Sequence, residues 1–188
     1  MKTTQFELTI GSATLIRFVG PLDVGAQNPL DNTEDGATGS FTLYNDMADR
    51  FTTAVVLSGS AVIPIGNVDS FAVGDIAAIF IDPQTVFDSV ILSIDSALNE
   101  LTITAGVPSD APAKTLVALK LGPVILMTEY GTPVVGSEAY GFQGTILGDH
   151  DDLRRGQQIR IEMTFEGTAE PGTLAARRIM RGFVSGGS

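Results

Sequence analysis

The chain has no cysteine, no tryptophan and a single histidine in 188 residues. Without thiols there is neither a disulfide framework nor a thiolate metal site, so stability must come from packing and strand pairing. One imidazole, His150, leaves catalytic triads and His-rich metal sites poorly supplied. Long apolar runs are missing too. None approaches the roughly 18 residues that cross a bilayer as a helix, so no membrane partner is expected. Gln5 and Glu7 interrupt the apolar stretch that a secretory signal would need near the N-terminus. The expectation is a protein made in the cytoplasm that does not use classical secretion.

Positive charge is scarce: 11 Lys and Arg stand against 22 Asp and Glu, a net charge of −11. Residues 1–149 hold 17 acidic and 5 basic side chains, whereas residues 150–188 hold 5 and 6. An acidic surface repels phosphate backbones, which argues against nucleic acid as a partner. The plain reading of this charge is solubility. A sharper one is that an acidic body and an arginine-bearing C-terminal region meet different surfaces in a repeating assembly.

What the chain does have is glycine (21), proline (9) and many short apolar runs, a composition suited to tight turns between strands. The most regular stretch is 68–123. Turn signals at Val73-Gly74-Asp75, Asp82-Pro83, 95–99 and 108–112 separate runs of strand length. Leu101 and Ile103 alternate with Glu100, Thr102 and Thr104, the period of a half-buried hairpin, and a further strand is expected at 116–121. This predicts a closed or nearly closed module of four or five strands.

Before it, strands are expected at 6–10, 13–19, 41–44, 51–57 and 61–65, with a polar link at 45–50. A long Gly/Pro/Asn/Asp-rich loop covers 20–40; loops of that length are usually functional or partly disordered. After it, strands are expected at 124–130, 140–147, 159–166 and 174–184. In 159–166, Ile159, Ile161, Met163 and Phe165 alternate with Arg160, Glu162, Thr164 and Glu166, which predicts one face on a core and one toward solvent or a partner.

No sustained 3.6-residue period appears, so the fold class is all-β. The expected architecture is a β-sandwich made of residues 1–57 and 124–184, with a small β-barrel-like module, 58–123, inserted, and a flexible tail at 185–188. One continuous sandwich fits the same periodicity.

Candidate sites are few. Asp149-His150-Asp151-Asp152 has hard-cation chemistry, but adjacent residues rarely converge on one centre. Asp31-Asn32-Thr33-Glu34-Asp35-Gly36 lacks the alternating ligands and closing Glu of a calcium loop. The pairs Asp82/Asp88 and Glu129/Glu138 offer carboxylates without a sign of a raised pKa or a cleft, and Ser60 and Ser137 have no nucleophile-elbow context. Tyr130, Tyr140 and Phe142 are a candidate sugar platform or simply core. No catalytic set, metal or cofactor is expected. Contact surfaces with partners are expected at Asp31, Glu34 and Asp35 in the long loop, at Arg177, Arg178 and Arg181, and along the N-terminal strand.

FAVGDIAAIFID (71–82), SVILSIDSALNELTITAGVP (89–108), LGPVILMTEYGTP (121–133) and GFQGTILGDHDDLRRGQQIRIEMTFEG (141–167) together resemble β-rich accessory virion proteins of tailed bacteriophages. The resemblance covers most of the chain from about Gly39 onward and is one of style, with no site motif to transfer. It implies a non-enzymatic structural protein of the virion that decorates or cements the capsid exterior. The major capsid protein or other virion proteins would be its partners, and it would act as a homo-oligomer. A head–tail neck or connector component belongs to the same class. A carbohydrate- or surface-binding module using Tyr130, Tyr140 and calcium in the acidic loops is the rival from another class. A hydrolase using paired carboxylates is a third.

Overall fold

The computed structural model describes residues 5–19, 38–82, 85–130, 141–147, 153–167 and 173–185. All regular structure among them is β, and no helix occurs among the described residues. The chain divides into two compact units, Met1–Leu43 with Gly122–Ser188 and Tyr44–Leu121.

Among the described residues twelve strands follow one another: β1 (Gln5–Thr9), β2 (Ala13–Val19), β3 (Thr38–Phe51), β4 (Val62–Pro64), β5 (Ile76–Phe80), β6 (Val86–Asp95), β7 (Glu100–Ile103), β8 (Leu116–Leu126), β9 (Thr128–Tyr130), β10 (Gly141–Leu147), β11 (Gln158–Gly167) and β12 (Thr173–Ser185). The unit boundaries fall inside β3, between Leu43 and Tyr44, and inside β8, between Leu121 and Gly122. The insertion expected from sequence ran over 58–123 instead. The polar segment 45–50, expected as a link, is the second half of β3, where Ala48 is fully buried. Residues 52–57, expected as strand, contribute only isolated bridges at Thr52 and Val56.

In the first unit, β1 runs parallel to β12, and β12 runs antiparallel to β11. A second sheet has the order β2-β10-β9. Two glycines let aromatic rings approach its backbone and that of β3. A Cβ at Gly144 would lie 2.3 Å from Cε1 of Phe41, and one at Gly39 would lie 3.1 Å from Cδ1 of Phe142. Phe41 and Phe142 are both fully buried, as are Leu8, Ile146, Ile159, Ile161 and Met163. Ser185, expected in the flexible tail, is the last paired residue of β12, opposite Thr9.

In the second unit the order is β8-β5-β6-β7-β4. β5 lies between two neighbours and is buried on both faces. Ala77 and Ile79 enter the main core with Ile63, Ile91, Leu101, Ile103 and Val117, while Ala78 packs with Tyr44 and Ala118. That explains an apolar run without alternation. In β6, Ile91 and Ile94 are three residues apart yet pair with the inward Ile103 and Leu101. A bulge between Ile91 and Ser93 absorbs the extra residue and leaves Leu92 54% exposed.

Thr52 then ties the two ends of this strand order together. It bridges Ile65, just past β4. Its N–H donates to the Thr115 carbonyl at 2.9 Å, and its own carbonyl accepts from Lys114 N–H at 2.9 Å, just before β8. Its hydroxyl donates to Pro112 O at 3.1 Å and accepts from Thr115 N–H at 3.0 Å. Burial of these polar groups is tolerated because each one has a partner.

Candidate functional site

Four aspartates of the second unit accept backbone N–H groups, three of them within turns. Asp75 Oδ2 accepts from Ala72 N–H at 2.7 Å, and Asp82 Oδ1 accepts from Thr85 N–H at 2.7 Å. Asp95 Oδ1 accepts from both Ala97 and Leu98 N–H, at 2.9 and 3.0 Å, across the β6–β7 connection. Asp110 Oδ1 takes the Ser58 N–H at 2.7 Å. Asp and Asn suit the first three positions because a short side-chain acceptor can satisfy a turn's own N–H groups. Asp88 is used differently, in an ion pair with the largely buried Lys120 of β8. The proposed carboxylate pair Asp82/Asp88 is therefore split between a turn cap and a salt bridge.

A second charged feature lies on β11. Arg160 and Glu162 alternate with buried isoleucines on β11, as expected, yet their own face is not open to solvent. They are 3% and 6% exposed, with Arg160 Nε 3.2 Å from Glu162 Oε1. Thr164, next on that face, shares a 2.8 Å hydroxyl–hydroxyl hydrogen bond with Ser40 of β3. An i, i+2 charge pair looks identical in sequence whether wet or buried; only the neighbouring chain decides.

Of the expected contact residues, Arg181 is exposed on β12, between Arg160 of β11 and Gln5 of β1. Arg177 and Arg178 are consecutive β12 positions whose partners are Thr164 and Met163. Those two β11 residues belong to opposite faces, Met163 being buried in the core and Thr164 bonded to Ser40. The N-terminal strand is β1, and Glu7 on it is exposed. Asp31, Glu34, Asp35, Ser137, Glu138, Tyr140 and Asp149–Asp152 lie outside the described residues. Phe142 is core, and Ser60 Oγ donates to Val62 O at 3.1 Å. Among the described residues no group of three or more His, Cys, Asp or Glu is placed to hold a metal ion.

No protein-family model matches the chain, and no curated protein matches it closely enough to indicate a relative.

Proposed function

We propose that this chain is a non-enzymatic structural protein of a virion, binding the capsid exterior and stabilising the shell. The observation that carries the reading is how its acidic groups are used. Asp75, Asp82 and Asp95 each hold a turn and Asp110 ties its segment to Ser58, so these carboxylates are committed to holding the backbone in place. Large apolar side chains left exposed, among them Phe51 and Leu98 at 56% and 64%, supply contact area of the kind protein interfaces use. The resemblance of 71–108 and 141–167 to accessory virion proteins points the same way. A neck or connector role in the same particle is the alternative. The carbohydrate-binding reading is weakened because Phe142, one of its three platform residues, is fully buried.

The test is to add purified protein to capsids that lack it and measure the temperature at which the shells open. A saturable rise in that temperature supports decoration. Binding at one vertex without a rise supports the neck role, and no binding to capsids or necks removes both.

A further inference from the structure

The outer face of β4, β7 and β6 is laid out in two short rows. Val62 stands opposite Thr102, which stands opposite Ser93; Pro64 stands opposite Glu100, which stands opposite Asp95. Ile63 and Leu101, which alternate with them, are fully buried, so the rows face out. Val62 is 41% exposed, and the bulged Leu92 at one end of the rows is 54% exposed.

At the other end the β6–β7 turn continues this surface. Asp95 Oδ1 holds the N–H groups of Ala97 and Leu98, and Asn99 takes a left-handed φ of 54°. Asn99 O also accepts Ile65 N–H at 2.9 Å, which ties the turn to the end of β4. Leu98, carried on this held backbone, is 64% exposed. An aliphatic side chain on backbone already fixed loses little further freedom when a partner covers it.

Charge sets what that partner can be. From Phe51 to Ala113 the chain has no Lys, Arg or His and seven Asp and Glu. Asp75, Asp82, Asp95 and Asp110 accept backbone N–H groups, Asp69 accepts from the Asn67 amide, and Asp88 pairs with Lys120. Glu100 alone of the seven makes no hydrogen bond or ion pair among the described residues. Asp95 stands directly opposite it, and like charges so placed across a ladder repel. A cation brought by a partner would offset that repulsion. The same face of a second copy would add carboxylates, and nucleic acid or an anionic membrane would add phosphates.

We propose that this face is where the second unit docks on the capsid exterior, and that the capsid protein meets it with an aliphatic surface bordered by lysine or arginine. Leu92 and Leu98 bracket the contact, and Glu100 between them takes the base in a charge-assisted hydrogen bond. The inference rests on the structural-protein reading. It adds which surface makes the contact and what chemistry receives it.

The test titrates purified protein onto capsids that lack it and measures affinity by co-pelleting. The chains are wild type, Leu92→Ser, Leu98→Ser, Glu100→Gln and Glu100→Lys. Leu15→Ser and Leu147→Ser serve as controls, removing leucines of similar exposure, 50% and 52%, from the first unit. Wild type should bind saturably and more weakly as salt rises. Leu92→Ser and Leu98→Ser should each weaken binding about tenfold. Glu100→Gln should weaken it about threefold and respond less to salt, and Glu100→Lys should weaken it further. The two controls should bind as wild type does. Thermal unfolding of each variant separates a lost contact from a lost fold. If wild type binds and the Leu98 and Glu100 variants bind equally well, this inference is overturned and the structural-protein reading stands. If wild type binds no capsid, both fall.

Discussion

Phe41 occupies the space that a side chain at Gly144 would need. A Cβ there would lie 2.3 Å from Cε1 and 2.8 Å from Cζ of the ring. The ring is fully buried, so it has little room to move away. Gly144→Ala is expected to destabilise the first unit by roughly 1–3 kcal/mol, the usual cost of overpacking a filled core. Trimming the ring should reverse the order of effects: Phe41→Leu destabilises wild type but relieves part of the G144A penalty. Urea unfolding of the four variants measures the coupling, and purely additive effects would contradict the contact.

Thr52 gives a second test. Thr52→Val keeps shape and removes the hydroxyl that bonds Pro112 O and Thr115 N–H. Pro112 O and Thr115 N–H keep their mutual 3.2 Å hydrogen bond, so the loss should be about 0.5–1.5 kcal/mol. Thr52→Ser, which keeps the hydroxyl, should lose less. Denaturant midpoints followed by amide exchange at Thr115 separate the two.

The Arg160–Glu162 pair predicts an asymmetry. Glu162→Ala leaves a buried guanidinium without its carboxylate and should cost about 3–5 kcal/mol, whereas replacing both by apolar residues, R160M/E162L, should cost much less. Thermal unfolding of the three chains decides. Equal losses would mean that the pair is not desolvated.

The four aspartates that accept backbone N–H groups should be replaceable by asparagine, which offers the same acceptor without charge. A chain carrying Asp75→Asn, Asp82→Asn, Asp95→Asn and Asp110→Asn is expected to keep its fold and its attachment to particles. The corresponding alanines should lower the unfolding temperature. Loss of attachment in a folded asparagine variant would show that those charges meet a partner.

The sequence makes the all-β class plain, because period-two alternation and Gly/Asp turn signals act locally. Gly74, at φ 96°, and Asn99, at φ 54°, sit in turns that were expected at those positions. What was not legible depends on neighbours distant in the chain. The polar run 45–50 looks like a link, and only pairing within a 14-residue strand makes it β. The spacing of Ile91 and Ile94 breaks the period until the bulge is seen. The candidate arginines could be named from their charge. That β1 pairs with Arg181–Ser185 of β12, and in parallel, is a matter of register, which composition does not encode.

The central claim, a structural role in a virion, is tested most directly by quantitative mass spectrometry of purified particles from a lysate that contains this protein. The account predicts copies in a fixed, high ratio to the major capsid protein, in numbers set by the lattice. A dozen or so per particle would move the protein to the neck, and complete absence from particles would contradict the account.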